Sequence, residues 1–215
     1  MPRIFKRPAG WLVALCIRFF RTVSPLLPED RLLRKDWGGQ PEWRPDEQGV
    51  VRNNDYFGGD LAGIENRLDR LKELGVTALY LNPIFEAHSN HRYNTADYTR
   101  IDPLLGTSED FRSLAETARR LGIRLILDGV FSHTGDDSWY FNREHRYPGV
   151  GAYESLSSPY AGWYSFIRWP EEYETWWGFL TLPQINKHQP DYRQFINGGQ
   201  GIARRSLRQG ACGSR

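Results

Sequence analysis

Apolar residues first recur at helical spacing at Ile64, Leu68, Leu71 and Leu74, one face of a helix that Asp60 can cap and Gly75 can stop. The β-branched and aliphatic run 76–81 follows and predicts a buried strand closed by Asn82-Pro83. Segment 84–106 holds neither period and predicts a loop, too long to be a mere connector. The same order then repeats. Ser108 stands where it can cap a second helix, with Phe111, Leu114, Ala115, Ala118 and Leu121 on one face and Gly122 as the stop. Residues 123–130 predict the next buried strand. Short connections enter each strand and long ones leave it, which predicts a parallel sheet covered by helices. A closed barrel and an open doubly wound sheet both fit, and both gather the residues after each strand at one mouth or edge.

Periodicity is lost over 134–189, a stretch rich in Tyr, Trp, Gly and Pro that reads as an inserted subdomain. A helical pattern resumes at Asp191, runs through Tyr192, Phe195 and Ile196, and continues unevenly past Gly198-Gly199 to Leu207, with Gly210 and Gly213 to end it. An α/β region with only two clear strands cannot bury both faces of its sheet, so an unfinished domain is expected.

Composition changes this picture at one point. Charged residues are 25%, apolar residues 40% and the net charge +2, ordinary for a globular chain and without the basic excess that nucleic acid or an anionic membrane would call for. Aromatics are the outlier. The 8 Trp and 11 Tyr gather in large part over 140–177, either as a second small core or as a platform for flat ligands such as sugar rings. Cys16 and Cys212 lie far apart with no metal-ligand spacing, so no disulfide scaffold or zinc site is expected, and a cytoplasmic location is. The basic start (1–8) and apolar run (11–20) superficially resemble a signal or anchor. A membrane span needs ~20 apolar residues, and Arg18 interrupts a run about half that long, so neither is expected.

Two groups of residues carry candidate chemistry. Asp128 and His133 lie on and just after the strand ending in Asp-Gly-Val-Phe-Ser-His, where a carboxylate and an imidazole can bind hydroxyls, or merely anchor the turn. Ser132 and His133 are chain neighbours that point to opposite sides, a poor hydrolase pair, and no phosphate-cradling glycine loop is present. The loop His88-Ser89-Asn90-His91-Arg92-Tyr93-Asn94-Thr95-Ala96-Asp97-Tyr98 combines neutral donors and acceptors with flat rings, as hydroxyl-rich ligands require, though a solvated polar loop has the same look.

Taken in order, these segments resemble the α-amylase family of glycoside hydrolases, which are (β/α)8 barrels. Tyr56-Phe57-Gly58-Gly59-Asp60-Leu61-Ala62-Gly63 is similar to the lead into that family's first barrel helix, and Gly75-Val76-Thr77-Ala78-Leu79-Tyr80-Leu81-Asn82-Pro83 to its second strand. His91-Arg92-Tyr93 with Asp97-Tyr98 resembles the loop that brings a histidine and a stacking tyrosine to the cleaved sugar, and 128–133 the third strand, whose histidine binds the same sugar. Leu182-Pro183-Gln184-Ile185-Asn186 is similar to a motif in the form found in neopullulanases and cyclomaltodextrinases. The resemblance implies an α-glucan or maltooligosaccharide substrate bound by His91, Tyr93, His133, Asp128 and Arg215. It implies retaining hydrolysis of α-1,4 and also α-1,6 bonds by an Asp nucleophile and a Glu acid, their carboxyls ~5 Å apart. No cofactor is required; calcium at Gly58 and Asp60 is implied by some neopullulanase-like members.

Departures qualify that expectation. Ser132 replaces an asparagine that binds calcium in many α-amylases, and Ser206 and Ser214 stand where tryptophan is usual. Gly213-Ser214-Arg215 is similar to the start of the fourth-strand motif Gly-x-Arg-x-Asp, whose nucleophile would come after Arg215. The first-strand motif Tyr-Gln-Ile-Phe-Pro-Asp-Arg-Phe is absent from the direct reading. Yet codons allowed for 16–24, TGT ATC AGA TTT TTC CGG ACC GTT TCx, encode it residue for residue when read from the third base of the Cys16 codon. The expected architecture is therefore an incomplete (β/α)8 TIM barrel of about the first three βα units. Its divisions are a segment 1–54 with a frame-shifted first strand, barrel units 55–133, an inserted aromatic subdomain 134–189, and a third helix with the start of a fourth strand over 190–215. Such a chain is an α-amylase-family glycoside hydrolase by resemblance that lacks the nucleophile and the acid, and it is expected to be inactive alone. The alternatives are a carbohydrate-binding fragment and a barrel-derived interaction protein.

Overall fold

The computed structural model describes the backbone of residues 12–14 and, from 31 to 214, every residue except 37, 43, 48, 50 and 52. The first elements are the short strands β1 (Leu12–Ala14), β2 (Leu32–Leu33) and β3 (Asp55–Tyr56). The helical stretch after Asp60 is two helices rather than one, α1 (Leu61–Glu65) and α2 (Leu68–Glu73). Asp60 caps α1 as expected, accepting from the Gly63 N–H at 2.7 Å. The break comes where the Arg67 N–H bonds Ile64 O at 2.9 Å, a tightened turn that ends the α ladder; asparagine at 66, a better cap than helix former, supplies it.

Strand β4 (Ala78–Leu81) follows. The expected loop 84–106 instead holds an antiparallel ribbon of β5 (Phe85–Ala87) and β6 (Thr95–Ile101). Its bulged register, with shifts on both sides of Glu86, hides the two-residue period that a sequence reading seeks. Helix α3 (Ser108–Arg120) is capped by Thr107 and not by Ser108: the Thr107 hydroxyl accepts from the Asp110 N–H while the Asp110 carboxylate accepts from the Thr107 N–H. That reciprocal pair satisfies two orphan donors at once, more than Ser108 could do from inside the first turn. Gly122, at φ +72, ends the helix in the left-handed turn that glycine takes without cost.

Strand β7 (Arg124–Leu127) is followed by a largely irregular region with 3-10 turns at Ala161–Trp163 and Trp176–Gly178 and a small ribbon, β8 (Phe166–Arg168) and β9 (Glu172–Tyr173). The C-terminal helical pattern splits into α4 (Pro190–Asn197) and α5 (Ile202–Arg208) around the glycines at 198, 199 and 201, and β10 (Gly213–Ser214) closes the described chain.

Four parallel strands form the main sheet in the order β1-β4-β7-β10. Each new strand is added on the same side of the last, the winding of a barrel; a doubly wound sheet reverses order at its centre. Leu12–Ala14 takes the place beside β4, while the stretch 16–24, where the frame slip is expected, lies outside the described residues. Two clusters hold the molecule together. In the first, Leu79, Leu81, Leu125 and Leu127 of the sheet pack on Leu61, Leu68, Phe111 and Leu114 of the helices. The second is aromatic: Tyr140, Phe141, Trp163, Tyr164 and Tyr173 pack with Tyr98 of β6 and Tyr192 of α4. Most of the aromatic excess is thus core, with ring centroids 4.7–6.3 Å apart, the range in which edge and offset contacts stabilise.

Candidate functional site

The loop between β5 and β6 brings Tyr93 to the residues that follow β7. The Tyr93 hydroxyl donates to Asp128 Oδ2 at 3.0 Å, its carbonyl accepts from His133 Nε2 at 3.0 Å, and its N–H donates to His91 Nδ1 at 3.1 Å. Tyr93 therefore joins His91, Asp128 and His133, the other described residues singled out as sugar-binding candidates. Asp128 lies just past β7, and its N–H still bonds the Leu81 carbonyl of β4 at 3.0 Å, so its carboxylate sits at the mouth of the sheet.

These bonds determine the imidazole tautomers. Because the Tyr93 N–H donates, His91 Nδ1 is an acceptor and the proton rests on Nε2. That Nε2–H meets no hydrogen-bond partner among the described residues, and residue 91 reaches the surface although its ring is partly enclosed. The His91 ring lies roughly parallel to Tyr93 at 6.0 Å, so the two present adjoining flat faces. Burial lowers the His91 pKa, with the Arg92 charge and His133 adding to the effect. His133 is buried, donates from Nε2 to Tyr93, and receives the Ser132 hydroxyl on Nδ1 at 3.0 Å. Burial pushes its pKa down as well, against a smaller rise from the Tyr93 bond, and keeps it neutral. Both its nitrogens are engaged within the protein.

A buried ion network that sequence reasoning missed holds the loop. Asp102 is fully buried and accepts from Arg92 Nε at 2.6 Å and from Arg31 at 3.4 Å. Arg92 stands in a left-handed conformation, φ +62, which turns the chain between His91 and Tyr93. Asn90 reaches back to Asp55 of β3, bonding its carbonyl at 3.1 Å and its carboxylate at 3.0 Å. The weak signal was Asp102-Pro103 at the end of an unrecognised strand. His88, in the same loop, turns the other way and bonds Asp137 at 2.6 Å.

Of the implied calcium pair, Asp60 gives one carboxylate oxygen to the α1 cap, and Gly58 stands two residues before it in a left-handed conformation, φ +84. Among the described residues no group of three or more His, Cys, Asp or Glu is gathered to hold a metal ion. Arg215 lies outside the described residues. A cavity of about 400 Å³ bordered by Phe85, Arg112, Ile202 and Arg205 shares no residue with the Tyr93 cluster. No helix among the described residues is long and apolar enough to cross a membrane.

Comparison with known proteins points the same way. The chain is 50% identical over 163 residues to an amylopullulanase of Thermoanaerobacterium saccharolyticum, a match covering 70% of this chain and 13% of that protein. It is 36% identical to neopullulanase 2 of Thermoactinomyces vulgaris, covering 82% and 29% respectively. Among solved structures, cyclic α-maltosyl-(1→6)-maltose hydrolase from Arthrobacter globiformis superposes with a TM-score of 0.72 at 36% identity, over 92% of this chain and 41% of that one. The chain thus spans 13% to 41% of the length of these relatives. The sequence profile of the α-amylase catalytic domain matches residues 19–199, and the chain therefore belongs to the α-amylase family of glycoside hydrolases, with its TIM-barrel fold.

Proposed function

We propose that this chain contributes the wall of an α-glucan site in which Tyr93 stacks on a glucose unit and His91 Nε2–H donates to one of its hydroxyls. Asp128 fixes the Tyr93 ring through its hydroxyl, and neutral His133 fixes the Tyr93 backbone. The observation that carries the reading is the convergence of all three bonds on Tyr93. His133 is here a positioning residue, since its nitrogens are spent, whereas His91 keeps an unspent donor. The substrate class is α-1,4-linked maltooligosaccharide with α-1,6 linkages also accepted, as the names of the pullulan- and maltosyl-maltose-acting relatives suggest.

In our reading the architecture is the first three βα units of the barrel, with 134–189 inserted after the third strand and the start of a fourth strand carrying Arg215. The reaction is retaining hydrolysis by two carboxyls ~5 Å apart. We place neither the nucleophile nor the acid within these 215 residues, so the chain alone binds glucan without cleaving it. Calcium at Gly58 and Asp60 stays part of this reading, since the α1 cap engages only one Asp60 carboxylate oxygen.

The test is titration of the 215-residue chain with maltoheptaose, paired with an assay for reducing ends. Binding weakened about tenfold by Tyr93→Ala, with no reducing ends released, is the expected result. Hydrolysis by the chain that His133→Ala abolishes would overturn the claim of inactivity, and unaltered binding in Tyr93→Ala would overturn the site.

A further inference from the structure

Trp177 is the most exposed large apolar side chain described, at 81%, and its backbone is left-handed at φ +54. A bulky residue in that conformation is a true outlier, kept only where surrounding structure enforces it. The enforcement is visible: Trp176 N–H bonds Leu182 O at 2.9 Å and Leu182 N–H bonds Phe179 O at 2.9 Å, closing a tight turn through Trp176–Gly178. Glycine or asparagine would suit the position better, and burial returns almost nothing for a ring left in solvent. The conformation instead lays the Trp177 ring flat on Trp176, centroids 4.5 Å apart and planes 4° apart, and Trp176 lies against the His133 ring at 5.1 Å. Three rings in series, the outer two stacked and the inner pair tilted, thus lead from the Tyr93 cluster to an open indole face; Phe179 and Leu180, next in the chain, are exposed as well.

We propose that the Trp176–Trp177 stack is a second glucan-binding subsite, in which the outer face of Trp177 packs against a glucose unit of a chain whose other units reach Tyr93 and His91. The occupant follows from continuity. The series begins on His133, and a flat exposed indole face matches the C–H face of a pyranose ring as it matches other flat ligands. The inference rests on the Tyr93 reading for the direction of the glucan, and the variants below separate the two.

The experiment compares maltose with maltoheptaose on the 215-residue chain by calorimetric titration, with thermal unfolding of each variant. Trp177→Asn is expected to weaken maltoheptaose binding about five- to tenfold, in keeping with the loss of one aromatic contact, and to leave maltose binding unchanged. Trp177→Tyr, which retains a ring, should stay within about twofold of the parent. Because asparagine tolerates the left-handed backbone, Trp177→Asn should unfold at the same or a higher temperature, separating lost binding from lost fold. Tyr93→Ala should weaken both ligands. If Tyr93→Ala weakens binding and Trp177→Asn does not, the subsite falls and the Tyr93 site stands. Equal loss of maltose and maltoheptaose in Trp177→Asn would overturn a remote subsite. A change in self-association with unchanged glucan affinity would make this face a protein contact instead, and no glucan binding by the parent would overturn both readings.

Discussion

Tyr93 works through three different atoms, and each can be removed separately. Tyr93→Phe deletes only the hydroxyl donated to Asp128, so the ring and both backbone bonds remain. A half-exposed hydrogen bond to a carboxylate is worth about 1 kcal/mol, which urea unfolding should register as the loss of stability in this variant. Asp136 offers a second residue-level test. Burial, followed by the neighbouring Asp137 charge, pushes its carboxyl up to about 6, with Arg143 opposing. The native state therefore holds a proton that the unfolded chain has released between about pH 4 and 6, and stability from this group falls as pH rises through that window. Asp136→Asn should remove this pH slope and stabilise the chain at pH 7 by about 2–3 kcal/mol, read as the difference between variant and parent unfolding curves at pH 4 and 7. His133 acts in the opposite sense. Its pKa is depressed on folding, so its contribution is present above the unfolded value near 6.5 and lost as pH falls.

Among the elements, the β5–β6 ribbon is held to the rest of the molecule by charge as much as by apolar contact. Asp102 follows β6 and receives Arg92 from the loop and Arg31 from the segment before β2, all of them largely buried. Removing the carboxylate leaves two guanidinium groups without their partner, so Asp102→Ala should cost about 3–5 kcal/mol in denaturant unfolding. Glucan affinity should fall with it, since Arg92 sets the turn that presents Tyr93. The α3 cap is a milder case. Thr107→Ala breaks one half of the reciprocal pair with Asp110 and should cost about 1 kcal/mol, whereas Ser108→Ala should be nearly neutral. Sequence reasoning erred by one residue there because Thr107 and Ser108 are both good caps, and only the Asp110 side chain, three residues after Thr107, distinguishes them.

For the molecule as a whole, the two cores divide the labour. The aliphatic core joins β4 and β7 to α1, α2 and α3, while the aromatic core ties residues 140–173 to β6 and α4. Phe141, fully buried and in contact with Tyr153, Tyr164, Phe166 and Tyr173, is the keystone of the second. Phe141→Ala should cost about 3–5 kcal/mol and flatten the near-ultraviolet dichroism of the aromatic core. The winding order of the main sheet also belongs to this scale. It distinguishes a barrel from a doubly wound sheet by where each strand is added, a relation between residues as distant as Gly213 and Ile126.

By itself the sequence located the strands it placed over 76–81 and 123–130, which fold as 78–81 and 124–127, the face of α3 and the stops at Gly75 and Gly122, and it put forward Asp128, His133, His91 and Tyr93 as site candidates. Each of these is written in local period, in a residue type suited to one backbone conformation, or in a motif. Tertiary structure alone decided how the candidates meet. The bonds from Tyr93 to Asp128 and His133 span 35 and 40 residues, and no local pattern encodes which nitrogen of each histidine carries the proton. The same holds for the Trp177 face, where a sequence reading finds one more aromatic in a cluster. Only the folded turn reveals that most of these rings are buried against one another and that this one is held out in solvent.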